Sequence, residues 1–181
     1  GIGNLRSAEK AIQRQGGDAW LATDPTEVAA ADGVVLPGVG AFGACMAALH
    51  ASGLDGVARD AVASGKPFLG ICVGMQMLFQ RGHEHGVHAG LGWFQGEVKK
   101  IAPADASLKI PHMGWNRLQR GQGYFATCHD HFYFVHSYAA SGCRTEEVLA
   151  SVDYGGEFVA VIGRENILAT QFHPEKSQAA G

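Results

Sequence analysis

Apolar residues recur at helical spacing over residues 4–15, where Leu5, Ala8 and Ile12 form one stripe that Gly16-Gly17 ends. A strand is expected over 19–22. Asp24-Pro25-Thr26-Glu27 then combines an N-cap, a proline in the first turn and an acid three residues on, the start signal of a second helix. Val34-Val35-Leu36 is short and wholly apolar, of the kind covered on both faces in a parallel sheet. Residues 45–64 predict helix broken near Gly53, and 67–71 form another apolar run that reads as a buried strand. Beyond it Met75, Leu78 and Phe79 return to helical spacing. This alternation predicts a doubly wound α/β fold, with a mostly parallel sheet flanked by helices.

The second half changes character. Trp93-Phe94, Phe132-Tyr133-Phe134-Val135 and residues 147–152, 158–162 and 167–172 read as strands. Gly163-Arg164-Glu165-Asn166 is the expected hairpin turn between the last two. A partly antiparallel β layer should therefore be added to the α/β core.

At 181 residues and 46% hydrophobic content, the chain suits one compact domain spanning residues 1–181, with no repeats or linker. A net charge of −3 supplies no electrostatic footprint for nucleic acid or an acidic membrane surface. No apolar run approaches the ~20 residues of a membrane span, and no signal-peptide pattern is present. Cys45, Cys72, Cys128 and Cys143 are scattered, as reduced thiols in a cytoplasm would be. Gly1-Ile2-Gly3-Asn4-Leu5 lacks the third glycine and the preceding strand of a dinucleotide loop, and no cofactor is expected. His83, His85 and His88 lie in a polar loop whose spacing fits no metal motif; a solvated loop, with no metal, is the reading.

The candidate chemistry centres on Gly70-Ile71-Cys72-Val73-Gly74-Met75-Gln76. A cysteine at a sharp strand-to-helix turn, with glycines on either side to relieve crowding, has the plan of a nucleophile elbow. A helix N-terminus favours its thiolate. Simple burial is the alternative for any cysteine. The distant stretch Gln171-Phe172-His173-Pro174-Glu175 argues for chemistry. Proline biases His173 towards an extended conformation, where residues two apart share a side, so Glu175 can orient an imidazole that activates the thiol. The loop Pro37-Gly38-Val39-Gly40-Ala41-Phe42-Gly43 admits two readings, tight packing or an oxyanion hole of backbone N–H groups.

Together, Gly70–Gln76 and His173-Pro174-Glu175 resemble the triad-type glutamine amidotransferases. Within them, residues 36–43, 111–116 and 133–138 are similar to the glutaminase subunits of imidazole glycerol phosphate synthase, a likeness that covers nearly the whole chain. The resemblance implies glutamine hydrolysis through a thioester on Cys72, with His173 as base then acid and Glu175 orienting it. It implies an oxyanion hole at Gly38, Val39 and Gly40, and glutamine contacts from Gly40, Gln76, Glu84, His136, Ser137 and Tyr138. It further implies a heterodimer with a cyclase subunit of (β/α)₈-barrel form, fed with ammonia through a channel. His112, Met113, Gly114, Trp115, Asn116, Tyr138 and Lys176 would face that partner, although Trp115 also suits a core and Lys176 a solvated surface. Relatives normally open with a strand before Gly-x-Gly-Asn-Leu and continue into a C-terminal helix, both expected to be missing here. Another triad glutaminase, such as one serving pyridoxal phosphate synthesis, would keep the chemistry and change the partner. A glyoxalase- or chaperone-like protein would have no use for His173-Pro174-Glu175, and a non-catalytic binding homologue would be expected to lose a triad member.

Overall fold

The computed structural model describes residues 2–181, with side chains from Leu5 onward. Gly1 and the side chains of 2–4, and with them the Gly-x-Gly stretch weighed above, lie outside the described residues. The amphipathic opening forms α1 (Ile2–Arg14), and the backbone then turns through Gly16 at φ +87°. Asp24 caps α2 (Pro25–Ala30) by accepting from the N–H groups of Thr26 and Glu27, and Glu27 reaches back to the Asp24 N–H at 3.3 Å. The expected strand over 19–22 is absent: the segment pairs with no described strand, and Trp20 and Leu21 are exposed. A strand exists only by sharing a ladder, so apolar content alone does not make one.

Next come β1 (Val34–Gly38), α3 (Phe42–Ala51), α4 (Leu54–Ala63) and β2 (Phe68–Cys72). The helix break falls at Gly53, as its φ of +70° requires. A single turn, α5 (Val73–Gln76), follows β2. Strands and short 3₁₀ turns make up the remaining elements, the strands being β3 (Phe79–Gly82), β4 (His88–Ala89), β5 (Phe94–Lys100), β6 (His112–Gln119), β7 (His131–His136), β8 (Tyr138–Ser141), β9 (Val148–Asp153), β10 (Glu157–Arg164) and β11 (Ile167–Thr170).

Among the described residues the main sheet runs β1-β2-β11-β10-β9-β6-β7 and a second sheet runs β4-β3-β5-β8. β1, β2 and β11 are parallel, with helices packed beside them, and the antiparallel strands continue the same sheet. The α/β class with an added antiparallel layer is thus what the chain adopts. β1 is an edge here, so Val34, Val35 and Leu36 are half-buried rather than covered on both faces. One core, built on Phe42, Phe68, Met75, Leu78, Phe79 and Phe94, lies beneath the helices. The other gathers Phe132, Phe134, Val152, Val161 and Phe172 under the antiparallel strands. The site lies where the two regions meet.

Candidate active site

β2 lies between β1 and β11, and its parallel register sets Cys72 opposite Gly38 at the end of both strands. The cysteine has φ 56° and ψ −112°, a strained conformation for a residue with a side chain. Neighbouring glycines make the turn possible. A Cβ on Gly74 would stand 1.8 Å from the Leu36 carbonyl oxygen, and one on Gly38 would stand 2.6 Å from the Gly74 nitrogen. The helix expected to run on to Phe79 lasts only four residues, because Phe79 begins β3. Residues 71–79 are all buried, so apolar positions on every side leave no face for a helical period to mark. Any dipole support for the thiolate comes from that one turn.

His173 is fixed from both sides of its backbone. Its N–H donates to the Tyr133 carbonyl at 2.9 Å, and its carbonyl accepts from the Ser177 hydroxyl at 2.7 Å. Phe172 anchors the preceding position against Phe132, with ring centroids 4.3 Å apart. Proline holds His173 extended as expected, at φ −99° and ψ 97°. Glu175, however, lies in a 3₁₀ turn (Pro174–Lys176) and not on a strand, and it reaches the imidazole by that turn. His173 Nδ1 and Glu175 Oε1 are 2.7 Å apart, with both side chains only 2% exposed. Cys72 lines the same cavity and interacts with the His173 ring.

Burial alone would depress the His173 pKa, but hydrogen bonds to Cys72 and Glu175, with their charges, outweigh it and lift the imidazole to about 9. The second carboxylate oxygen of Glu175, Oε2, is buried without a hydrogen-bond partner among the described residues. The imidazolium is therefore the group that balances the buried carboxylate. A raised histidine pKa means that the charged form persists through neutral pH and is lost as pH rises through about 9. Turnover that needs this proton should hold a plateau near neutrality and fall on the alkaline side, in step with that titration. A pH profile of kcat/KM tests this, and an alkaline limb centred near the ordinary histidine value would contradict it.

A cavity of about 340 Å³ opens above the thiol, lined by Val39, Gly40, Gln76, Glu84, His136, Ser137 and Tyr138 with the Cys72–His173 pair. Every expected glutamine contact is thus brought to one place. Of the loop residues, Val39 and Gly40 face the cavity, whereas Gly38 is buried against the elbow behind it. Cys45 Sγ donates to the Val39 carbonyl at 3.4 Å, and Glu84 accepts from the Phe42 N–H at 2.8 Å, so the loop is held at both ends. Sequence reasoning gave no role to Gln171. It is wholly buried, accepts from Gln76 Nε2 at 3.1 Å and approaches Cys72 Sγ with its own Nε2 at 3.9 Å. The available signal was an amide side chain just past the apolar run Ile167-Leu168-Ala169, two residues before His173.

The partner-facing assignment divides. Met113 and Trp115 are 61% and 46% exposed on β6, which removes the core reading of Trp115. Gly114 and Asn116 lie half-exposed between and beyond them, and Lys176 lines the cavity mouth. His112 is a correction: its side chain is 2% exposed, stacked between Phe134 and Tyr154, and turned away from that surface. The alternating pleat of β6 puts it on the inner face. His83 pairs with Glu97 at 3.0 Å and His88 packs beside Gly43, so the two leave the loop in different directions. Among the described residues no group of three or more His, Cys, Asp or Glu side chains could hold a metal.

A strained cysteine on an elbow, a histidine paired with a buried carboxylate, and a facing glycine loop have the form of a triad-type thiol hydrolase site. Comparison with known proteins makes this specific. The profile of "Glutamine amidotransferase class-I" matches residues 17–181. The imidazole glycerol phosphate synthase subunit HisH of Rhodospirillum rubrum is 50% identical, with 100% of this chain and 91% of that protein covered. The HisH subunits of Rhodopirellula baltica and Caulobacter vibrioides are 47% and 48% identical, covering 99% and 100% of this chain and 89% and 90% of theirs. The chain belongs to the class-I glutamine amidotransferases and, within them, to the HisH family. Two solved structures share the fold. One, a glutamine amidotransferase, has a TM-score of 0.74 at 18% identity, covering 97% of this chain and 87% of that one. The other, a putative GMP synthase subunit from Thermoplasma acidophilum, has 0.63 at 21%, covering 97% and 82%.

Proposed function

We propose that residues 1–181 form a single glutaminase domain that supplies ammonia to a cyclase subunit within imidazole glycerol phosphate synthase. The observation that carries the chemistry is the Cys72–His173–Glu175 arrangement on a strained elbow. The Cys72 thiolate attacks the side-chain amide carbon of glutamine, and backbone N–H groups of the loop at Val39 and Gly40 receive the developing oxyanion, with Gly38 packed behind them. His173 gives its proton to the nitrogen as the C–N bond breaks, releasing ammonia and leaving a thioester. It then takes a proton from water, whose oxygen attacks the thioester and regenerates thiol and glutamate. Gly40, Gln76, Glu84, His136, Ser137 and Tyr138 hold the substrate, and neither cofactor nor metal takes part.

Met113, Gly114, Trp115, Asn116, Tyr138 and Lys176 face the cyclase, a (β/α)₈ barrel with which the chain forms a heterodimer in the cytoplasm. Two large apolar side chains exposed on one strand support that surface. Among the described residues no helix is long and apolar enough to cross a membrane. The cyclase closes its ring with the ammonia, yielding imidazole glycerol phosphate and an aminoimidazole carboxamide ribotide for histidine biosynthesis.

Glutamate release, measured with and without the cyclase and its nucleotide ligand, tests the proposal. Release should be weak from the chain alone and should rise when both are added. Turnover indifferent to the cyclase would keep the triad and reject the partner. No turnover from folded protein in either condition would reject both.

A further inference from the structure

His112, buried behind the cavity, and His136, in its lining, take part in a chain of side-chain hydrogen bonds that the triad does not use. His136 Nδ1 lies 3.0 Å from the Tyr138 carbonyl oxygen, and His136 Nε2 lies 3.1 Å from His112 Nδ1. His112 Nε2 lies 3.4 Å from Asn116 Nδ2, which also donates to the Asp153 carbonyl at 2.8 Å. The direction of every bond follows from one fact: a carbonyl oxygen only accepts. His136 must carry a proton on Nδ1, and Asn116 Nδ2, oriented as a donor by the Asp153 carbonyl, donates also to His112 Nε2, so His112 donates from Nδ1 and His136 accepts at Nε2. Both rings are neutral in this arrangement, and a second proton on either would set two donors face to face. Burial, which pushes both pKa values down to about 4, favours the same neutral forms.

At its inner end the chain reaches the nucleophile. The Tyr138 carbonyl that His136 holds also accepts from Gln76 Nε2 at 2.9 Å, Gln76 donates to Gln171 Oε1, and Gln171 Nε2 points at Cys72 Sγ. The hydrogen bonds therefore run in one sense from β6 to the Tyr138 carbonyl, where the two side-chain amides take over. We propose that His112, which does not line the cavity, is a positioning residue: its Nδ1–H fixes His136 and thereby the Tyr138 carbonyl and the Gln76–Gln171 pair against Cys72. This rests on the glutaminase reading, and it gives a buried histidine a task that its stacking against Phe134 and Tyr154 does not require.

Two substitutions separate donation from packing. His112→Phe keeps a ring between Phe134 and Tyr154 and removes the donor, while His112→Asn gives up the ring and keeps an N–H near the Nδ1 position. In the complex with cyclase and nucleotide ligand, kcat/KM for glutamine should fall about tenfold or more in His112→Phe, as small displacements in an active site do, and stay within about threefold of the parent in His112→Asn. A packing role gives the reverse order. A folded His112→Phe with parental kcat/KM overturns the proposal, as does an equal loss in both folded variants. ¹⁵N NMR of the unmodified protein supplies a readout that needs neither variant folding nor glutaminase activity. Nδ1-protonated neutral tautomers at both histidines support the relay, and an Nε2-protonated or cationic ring at either overturns it. If the unmodified complex releases no glutamate while both tautomers are as assigned, the glutaminase reading fails and the relay geometry stands.

Discussion

Cys72→Ala is expected to abolish glutamate release from glutamine, by a factor of at least about 10⁴, because among the described residues no other cysteine lines the cavity. The fold should survive. Alanine removes one sulfur from a buried site, and the strain at φ 56° belongs to a backbone set by β2 and α5 rather than by the thiol. Cyclase activity driven by added ammonia should therefore continue in the complex, since only the source of ammonia is lost. Paired assays, one with glutamine and one with an ammonium salt, measure both consequences together. Turnover retained with glutamine would remove Cys72 from the mechanism. Loss of both activities in a folded, assembled complex would show that Cys72 also supports the partner.

Gly74→Ala should be severely damaging for a single added methyl group. The new carbon would stand 1.8 Å from the Leu36 carbonyl oxygen and 2.8 Å from its carbon, and both are backbone atoms of a hydrogen-bonded strand. No rotamer relieves a contact made by Cβ. Either β1 moves away from β2 or the elbow opens, and each route disturbs the register that sets Gly38 beside Cys72. Overpacking of this kind costs about 3 kcal/mol or more, which for a chain of this size lowers the melting temperature by about 10 °C. Activity should fall with stability, because the same displacement separates the glycine loop from the thiol. A melting temperature within about 2 °C of the parent would show that the elbow accommodates the methyl group.

The two substitutions probe features of different legibility. Cys72, His173 and Glu175 stood out in the sequence as candidates because each sits in a short segment whose local rules point the same way. Glycines bracket Cys72, and a proline follows His173. Asp24 and Glu27 likewise form the expected capping box. What failed were inferences that needed a neighbour. The 19–22 segment has apolar residues but no described strand to pair with. The strand β6 was not anticipated because its polarity is inverted, with Met113 and Trp115 outward and His112 inward. The turn after Cys72 is short because the apolar positions that suggested a longer helix are buried in every direction.

The sequence by itself determined the α/β class and marked Cys72, His173 and Glu175 as candidates, because each lies in a segment whose immediate neighbours favour its conformation. Only the tertiary structure decided that Gln171 faces Cys72, that Gly38 backs the elbow while Val39 and Gly40 face the cavity, and that His112 turns inward to His136. Each of these joins groups far apart in the chain. Nothing local to Gln171 or His112 favours the buried side, and burying either polar group costs free energy until a distant partner satisfies it.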